Sequence, residues 1–143
     1  MTTLERAIVI AATAHAGQVD KADQPYILHP IRVMLRLKGE DERIAAVLHD
    51  VVEDTDVTLE ALRLEGFSDE VLAAVEALTK RSGETRIDAA KRAVEHAVAR
   101  AVKLADNAEN MDLSRIANPT DKDYARVEEY KAVRRILTGA HAA

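Results

Sequence analysis

Apolar side chains make up 48% of this chain, yet 26 residues are alanine and only four are phenylalanine or tyrosine. A core of such small side chains closes only where backbones approach each other, and helices packed on helices allow that approach. Alanine, leucine, glutamate, arginine and lysine also lose little conformational freedom in a helix. No strand-like alternation persists, so the expected fold class is all-α. A length of 143 residues fits one helical bundle, a single domain over 1–143.

Punctuation along the chain divides it. Thr2 or Thr3 caps a first helix that runs to about His15, where Gly17 ends it. Residues 17–29 form a polar, turn-rich loop. Pro30 suits the first turn of a second helix to about Lys38, and Asp41 opens a third, DERIAAVLHDVVED. Short helices follow from Asp56 or Thr58 to Glu65 and from about Ser68 to Lys80. From Arg86 to about Ile116 the pattern is continuously helical, with no glycine or proline to mark a break. Thr120 and Asp121 start a last helix to Leu137.

Charge and cysteine content exclude several functions. The net charge of -5 gives no sign of a phosphate-neutralising surface, so a nucleic-acid partner is not expected. With no cysteine there is no disulfide scaffold, thiolate metal site or cysteine nucleophile. The apolar run Ala7–Ala14 is far shorter than the roughly 20 residues of a membrane span. It also lacks the basic flank and cleavage site of a signal peptide. The expectation is a cytoplasmic protein without a membrane partner.

The third helix holds the most unusual chemistry. His49 and Asp50 are adjacent, and Glu53 and Asp54 lie four residues beyond each. On a helix these four side chains share one stripe, beside the apolar Val47, Leu48, Val51 and Val52. Three carboxylates crowded against a core repel one another unless a positive charge sits among them. A divalent cation resolves the conflict; a solvated acidic face is the plainer alternative. His29 stands at a helix entrance before Pro30, and Asp106 lies among Val102, Leu104 and Ala105. Asp106 needs a partner, either a metal or Lys103 three residues earlier. Together His29, His49, Asp50 and Asp106 make a two-nitrogen, two-oxygen set suited to Mn, Fe, Co, Ni or Zn. Glu53 and Asp54, one turn further on, are placed to hold or deprotonate a water beside the ion. His15 reads as a group behind the ligands, His96 as a surface residue, and Arg81, Ser82 and Arg86 as a phosphate rim or a solvated linker.

The series His29, His49-Asp50, Asp106 resembles the signature of the HD-domain metal-dependent phosphohydrolases. The strings HAGQVDKADQPYILHPIRV, VLHDVVEDTDVTLEAL, LTKRSGETR and VKLADNAENMDLSRI narrow the resemblance to the hydrolase domain of bacterial alarmone enzymes and their small relatives. It spans roughly residues 5 to 137 and implies an HD-type helical bundle. It further implies one divalent ion, usually manganese, on His29, His49, Asp50 and Asp106, with Glu53 and Asp54 activating the attacking water. Lys21, Asn110, Arg126 and Tyr130 match substrate-contacting positions. The implied partner is a small nucleotide, the implied reaction removal of 3′-pyrophosphate from guanosine tetra- or pentaphosphate, and self-association is common among the small relatives. The sequence departs from that pattern at Asp20, Asn107, Ala108, Glu109 and Asp112. These changes leave the metal set intact and reshape the pocket. Another nucleotide, such as an adenine alarmone, or a non-catalytic nucleotide sensor are the alternatives.

Overall fold

A computed structural model describes residues 2–139; His141, read from the sequence as tail without a site role, lies outside them. Among the described residues the chain forms α1 (Leu4–Ala14), α2 (Leu28–Leu35), α3 (Glu40–Leu48), α4 (Val51–Asp54), α5 (Leu59–Glu65), α6 (Asp69–Leu78), α7 (Arg86–Ala93), α8 (Ala97–Asn110) and α9 (Asp121–Thr138). The all-α expectation holds; among the described residues the one β-type pairing is an isolated bridge between Val19 and Pro25. Among the described residues no helix is long and apolar enough to cross a membrane.

Hydroxyl side chains start the helices. Thr3, Thr58, Ser68, Thr85 and Thr120 each accept a hydrogen bond from a backbone N–H in the following turn. Thr2 is spent differently, donating to the Glu65 carbonyl at 2.6 Å and tying the start of α1 to the end of α5. The left-handed Gly66 (φ 98°) ends α5 at that junction.

α3 is the hub, packed against α1, α2, α6 and α8. Its Ala45, Ala46, Val47 and Leu48 are fully buried, facing Ala7, Val33, Ala74, Ala99 and Val102. Alanines at these positions let four helices close on one, as the composition requires. A smaller cluster of Ala90, Val133, Ile136 and Leu137 seats α9 on α7.

Several boundaries differ from the sequence reading; the second helix also ends at Leu35 rather than about Lys38. The second helix starts at Leu28 rather than Pro30, so His29 and Pro30 both lie in its first turn. Proline is tolerated there because first-turn N–H groups have no intrahelical acceptor. The third helix breaks at His49–Asp50. Nδ1 of His49 donates to the Ala46 carbonyl at 2.5 Å, taking the acceptor that would continue the helical ladder. The long 86–116 stretch breaks at Val94–His96, and its second half ends at Asn110. His96 is no bystander on the surface: its Nδ1 accepts from Ala99 N at 3.3 Å and caps α8.

Arg92 secures the linker between α6 and α7. Its guanidinium donates to the carbonyls of Ala77 at 3.1 Å and Thr79 at 2.8 Å, and to Glu84 at 2.8 and 2.9 Å. Hydrogen bonding from Arg92 and from the Arg81 backbone pulls the Glu84 carboxyl down to about 2. Arg92→Ala leaves the end of α6 without these donors, and we expect it to lower the unfolding free energy by about 2 kcal/mol. Chemical denaturation measures this, and an unchanged midpoint would show the linker to be decorative.

Candidate metal and nucleotide site

The helix break aims His49. With Nδ1–H committed to Ala46, Nε2 carries the lone pair, and it points at two carboxylates: Asp50 Oδ2 at 3.2 Å and Asp106 Oδ1 at 3.4 Å. That nitrogen is buried and makes no hydrogen bond of proper geometry. His29 Nε2 lies 2.8 Å from the same Asp106 Oδ1, and the two imidazole rings are 5.9 Å apart. His29, His49 and Asp50 offer ligand atoms within 4.8 Å of one another. Lone pairs and anions converging on one buried point need a proton or a cation between them. Burial alone pushes the His49 pKa down, but Asp50 and Asp106 outweigh it and raise it well above the ordinary value. A cation entering the cluster must displace that proton. The orphaned nitrogen and the donor set fit a divalent ion.

Asp106 faces two ways at once. Oδ1 faces the histidines, while Oδ2 accepts from Asn110 Nδ2 at 3.2 Å and lies 3.8 Å from Lys103 Nζ. Burial works against its charge, yet the hydrogen bond from His29 and the nearby His49 and Lys103 hold the carboxyl well below the usual range.

Glu53 and Asp54 stand beside Asp50, with ligand atoms within 4.8 Å of one another. Glu53 Oε1 accepts from the Lys80 backbone N–H at 2.6 Å, which fixes that side chain. The side chain of Asp54 has no such tie. Burial, then the charges of Asp50 and Glu53, raise its pKa above the ordinary value.

Two adjoining cavities meet at this cluster. One, about 280 Å³, contains His49, Asp50, Glu53, Asp54 and Asp106, with Lys80, Arg86 and Lys103 in its wall. The other, about 440 Å³, contains Lys21, Arg126 and the apolar Val19, Ala22, Leu113 and Ile116. Tyr26, His29, Asn110 and Tyr130 border both. All four residues matched to substrate contacts thus lie around one opening. Lys21 and Arg126 both lean on Asp123, at 3.9 and 3.3 Å. Of the linker residues only Arg86 reaches the site, stacking over the Tyr130 ring at 5.0 Å. Asp20 does not present a bare anion: Arg115 Nη1 meets its Oδ2 at 2.9 Å. Glu109 is likewise answered by Arg36 at 2.8 Å.

Sequence reasoning missed Tyr26, Asp123 and Lys80. Tyr26 donates its hydroxyl proton to Asp50 Oδ2, and its own pKa is driven up by burial and by Asp50. Its position three residues before His29 was the available signal. His15 is buried behind it, with its ring 5.0 Å from the tyrosine and Nδ1 2.9 Å from Gln18 Oε1. Tyr26→Phe frees Asp50 to rotate, and we expect metal affinity to fall by about tenfold, as for other groups that orient ligands. Competition with a metallochromic chelator reads this, and an unaltered affinity would reduce Tyr26 to packing.

A helical bundle with a histidine–aspartate cluster at the break of its central helix defines the class. A family model for the HD domain matches residues 7–142, and the chain belongs to that family. Family membership brings divalent-metal binding with it. Among relatives, the chain is 38% identical over 134 residues to the Danio rerio guanosine-3′,5′-bis(diphosphate) 3′-pyrophosphohydrolase MESH1, covering 84% of this chain and 73% of that protein. It is 38% identical over 132 residues to a probable GTP pyrophosphokinase of Mycobacterium leprae, covering 83% of this chain but only 17% of that much longer protein. A solved structure of a metazoan ortholog of SpoT that hydrolyzes ppGpp matches with a TM-score of 0.76 at 26% identity, over 96% of this chain and 84% of that one.

Proposed function

We propose that this chain is a metal-dependent phosphohydrolase that removes pyrophosphate from the 3′ position of guanosine 3′,5′-bis(diphosphate). The observation that carries the reading is the pairing of cavities: the buried cluster opens directly into a slot of nucleoside size. The names of the relatives supply the substrate. His29, His49, Asp50 and Asp106 hold the ion, manganese first, with Fe, Co, Ni and Zn compatible with the same donors. When bound, such an ion acidifies water and polarises phosphoryl oxygen.

The protein's own groups do the rest. Asp54, with its raised pKa, accepts a proton from the attacking water, while Glu53, held by Lys80 N–H, keeps that water in place. The water oxygen bonds to the phosphorus carried on the 3′-oxygen, and the bond from phosphorus to that oxygen breaks. The products are pyrophosphate and guanosine 5′-diphosphate, whose 3′-oxygen takes up a proton. Lys80, Arg86 and Lys103 line the reacting cavity and neutralise the phosphate oxygens. Lys21, Asn110, Arg126 and Tyr130 hold the nucleoside end.

A manganese-supplemented hydrolysis screen over guanosine and adenosine polyphosphates tests the reading, with pyrophosphate and orthophosphate measured separately. We expect pyrophosphate from guanosine 3′,5′-bis(diphosphate), lost on chelation and restored by manganese. Release of orthophosphate alone, or turnover confined to adenosine substrates, would refute it.

A further inference from the structure

An ion pair bordering the larger cavity joins two loops. Asp20 belongs to the 17–25 loop and Arg115 to the segment after α8. Asp20 Oδ1 accepts from the N–H groups of Ala22 at 2.8 Å and Gln24 at 3.0 Å, so the carboxylate first fastens its own loop. Its Oδ2 then takes Arg115 Nη1 at 2.9 Å across the cavity, with Arg32 Nη2 further off at 3.8 Å. The Asp20 side chain is 12% exposed and that of Arg115 35%. A guanidinium tied at one nitrogen keeps its flat face and its remaining donors for something else.

The surroundings indicate what that is. Both residues border the 440 Å³ cavity, whose other walls near them are Val19, Ala22, Leu113 and Ile116. An apolar wall with a planar cation at its edge suits a flat aromatic ring better than a phosphate. Phosphate-neutralising cations stand instead around the metal cluster, at Lys80, Arg86 and Lys103. The other acids of the slot have partners of their own: Glu109 is held by Arg36, Asp123 by Arg126 and Lys21, and Asp112 accepts from the Ser114 N–H at 2.9 Å, with Arg115 adding only to the field that lowers its pKa.

We propose that Arg115, seated by Asp20, is the platform against which the nucleobase packs, and that this pair sets base-end affinity. The proposal rests on the functional reading above for the orientation of the nucleotide. Asp20 is a positioning residue, acting only through Arg115.

Binding of guanosine 5′-diphosphate and of inorganic pyrophosphate to the full chain, followed by titration calorimetry, tests this without turnover. KM and kcat for guanosine 3′,5′-bis(diphosphate) are measured alongside. We expect Arg115→Ala to weaken guanosine 5′-diphosphate about tenfold, the scale of a lost cation–ring contact, and to leave pyrophosphate binding unchanged. KM should rise in parallel, with kcat within about twofold, since the contact is equal in ground and transition states. Arg115→Lys should recover only part of the loss. Asp20→Asn keeps an acceptor for the loop N–H groups but releases Arg115, so it should weaken the diphosphate, and the double variant should be no worse than Arg115→Ala. An unchanged diphosphate affinity in Arg115→Ala overturns the proposal, as does an equal loss of pyrophosphate binding or a wild-type chain that binds no guanosine diphosphate. Arg115-dependent binding by a wild-type protein that hydrolyses nothing would uphold this inference while rejecting the catalytic reading.

Discussion

Asp106→Asn is expected to strip the divalent ion from the protein and with it essentially all hydrolysis, a loss of about a thousandfold or more, because several kcal/mol of transition-state stabilisation depart with the ion. Asp106 lies against both histidines, at 2.8 Å to His29 and 3.4 Å to His49. Asparagine preserves the shape, but it removes one of the two ligand charges and turns half of the group into a donor. A donor facing His49 Nε2 would satisfy that nitrogen internally and so compete with a cation. The fold should survive at reduced stability, since the charge paired with His29 and Lys103 is lost while Asn110 keeps an acceptor. Elemental analysis of the purified variant, beside pyrophosphate release, reads both effects. Retention of stoichiometric metal would show that Asp106 serves Lys103 instead, 3.8 Å from its other oxygen. Lys103→Met separates the two roles, because it should leave metal content intact.

Much of this site was legible in the letters because its chemistry is local. His49, Asp50, Glu53 and Asp54 fall within six residues, and any helical arrangement puts them together. His29 and Asp106 were harder, since only an apolar neighbourhood and a proline flagged them, and the match to known strings did the rest. The helix break at His49 was illegible in principle: it depends on an imidazole taking a backbone carbonyl, which no glycine or proline announces. The start of α8 was hidden for a related reason, a histidine side chain acting as its N-terminal cap. Electrostatic compensation was the other blind spot. Asp20 reads as an intruder beside a polyphosphate until Arg115, far along the chain, is seen to neutralise it. Pairings at such separation are set by packing of the whole bundle, and a single sequence does not display them.

Asp54→Asn should act on a different quantity. We expect kcat to fall by about a hundredfold to ten-thousandfold, the usual range for a lost general base, while the metal stays bound. Asp54 is the proton acceptor to test first because Glu53 is already engaged by Lys80 N–H, whereas the Asp54 carboxylate is free to receive a proton. Its raised pKa, caused by burial and by the charges of Asp50 and Glu53, makes it a stronger base than an ordinary aspartate. The rate of the wild type should therefore decline on the acid side as Asp54 is protonated, and Asp54→Asn should lack that limb. Stability moves the opposite way. A carboxyl whose pKa is higher in the folded than in the unfolded chain contributes stability that is complete below its unfolded value, about 3.9, and is lost as pH rises through the folded value. In metal-free protein at neutral pH, Asp54→Asn should thus melt at a higher temperature than wild type, with the advantage vanishing in acid. A slow enzyme that is also a more stable one is the signature of a charge kept for chemistry at the expense of the fold. Full activity in Asp54→Asn, or a melting temperature lowered at neutral pH, would move the proton to Glu53 or to a group outside this acidic pair.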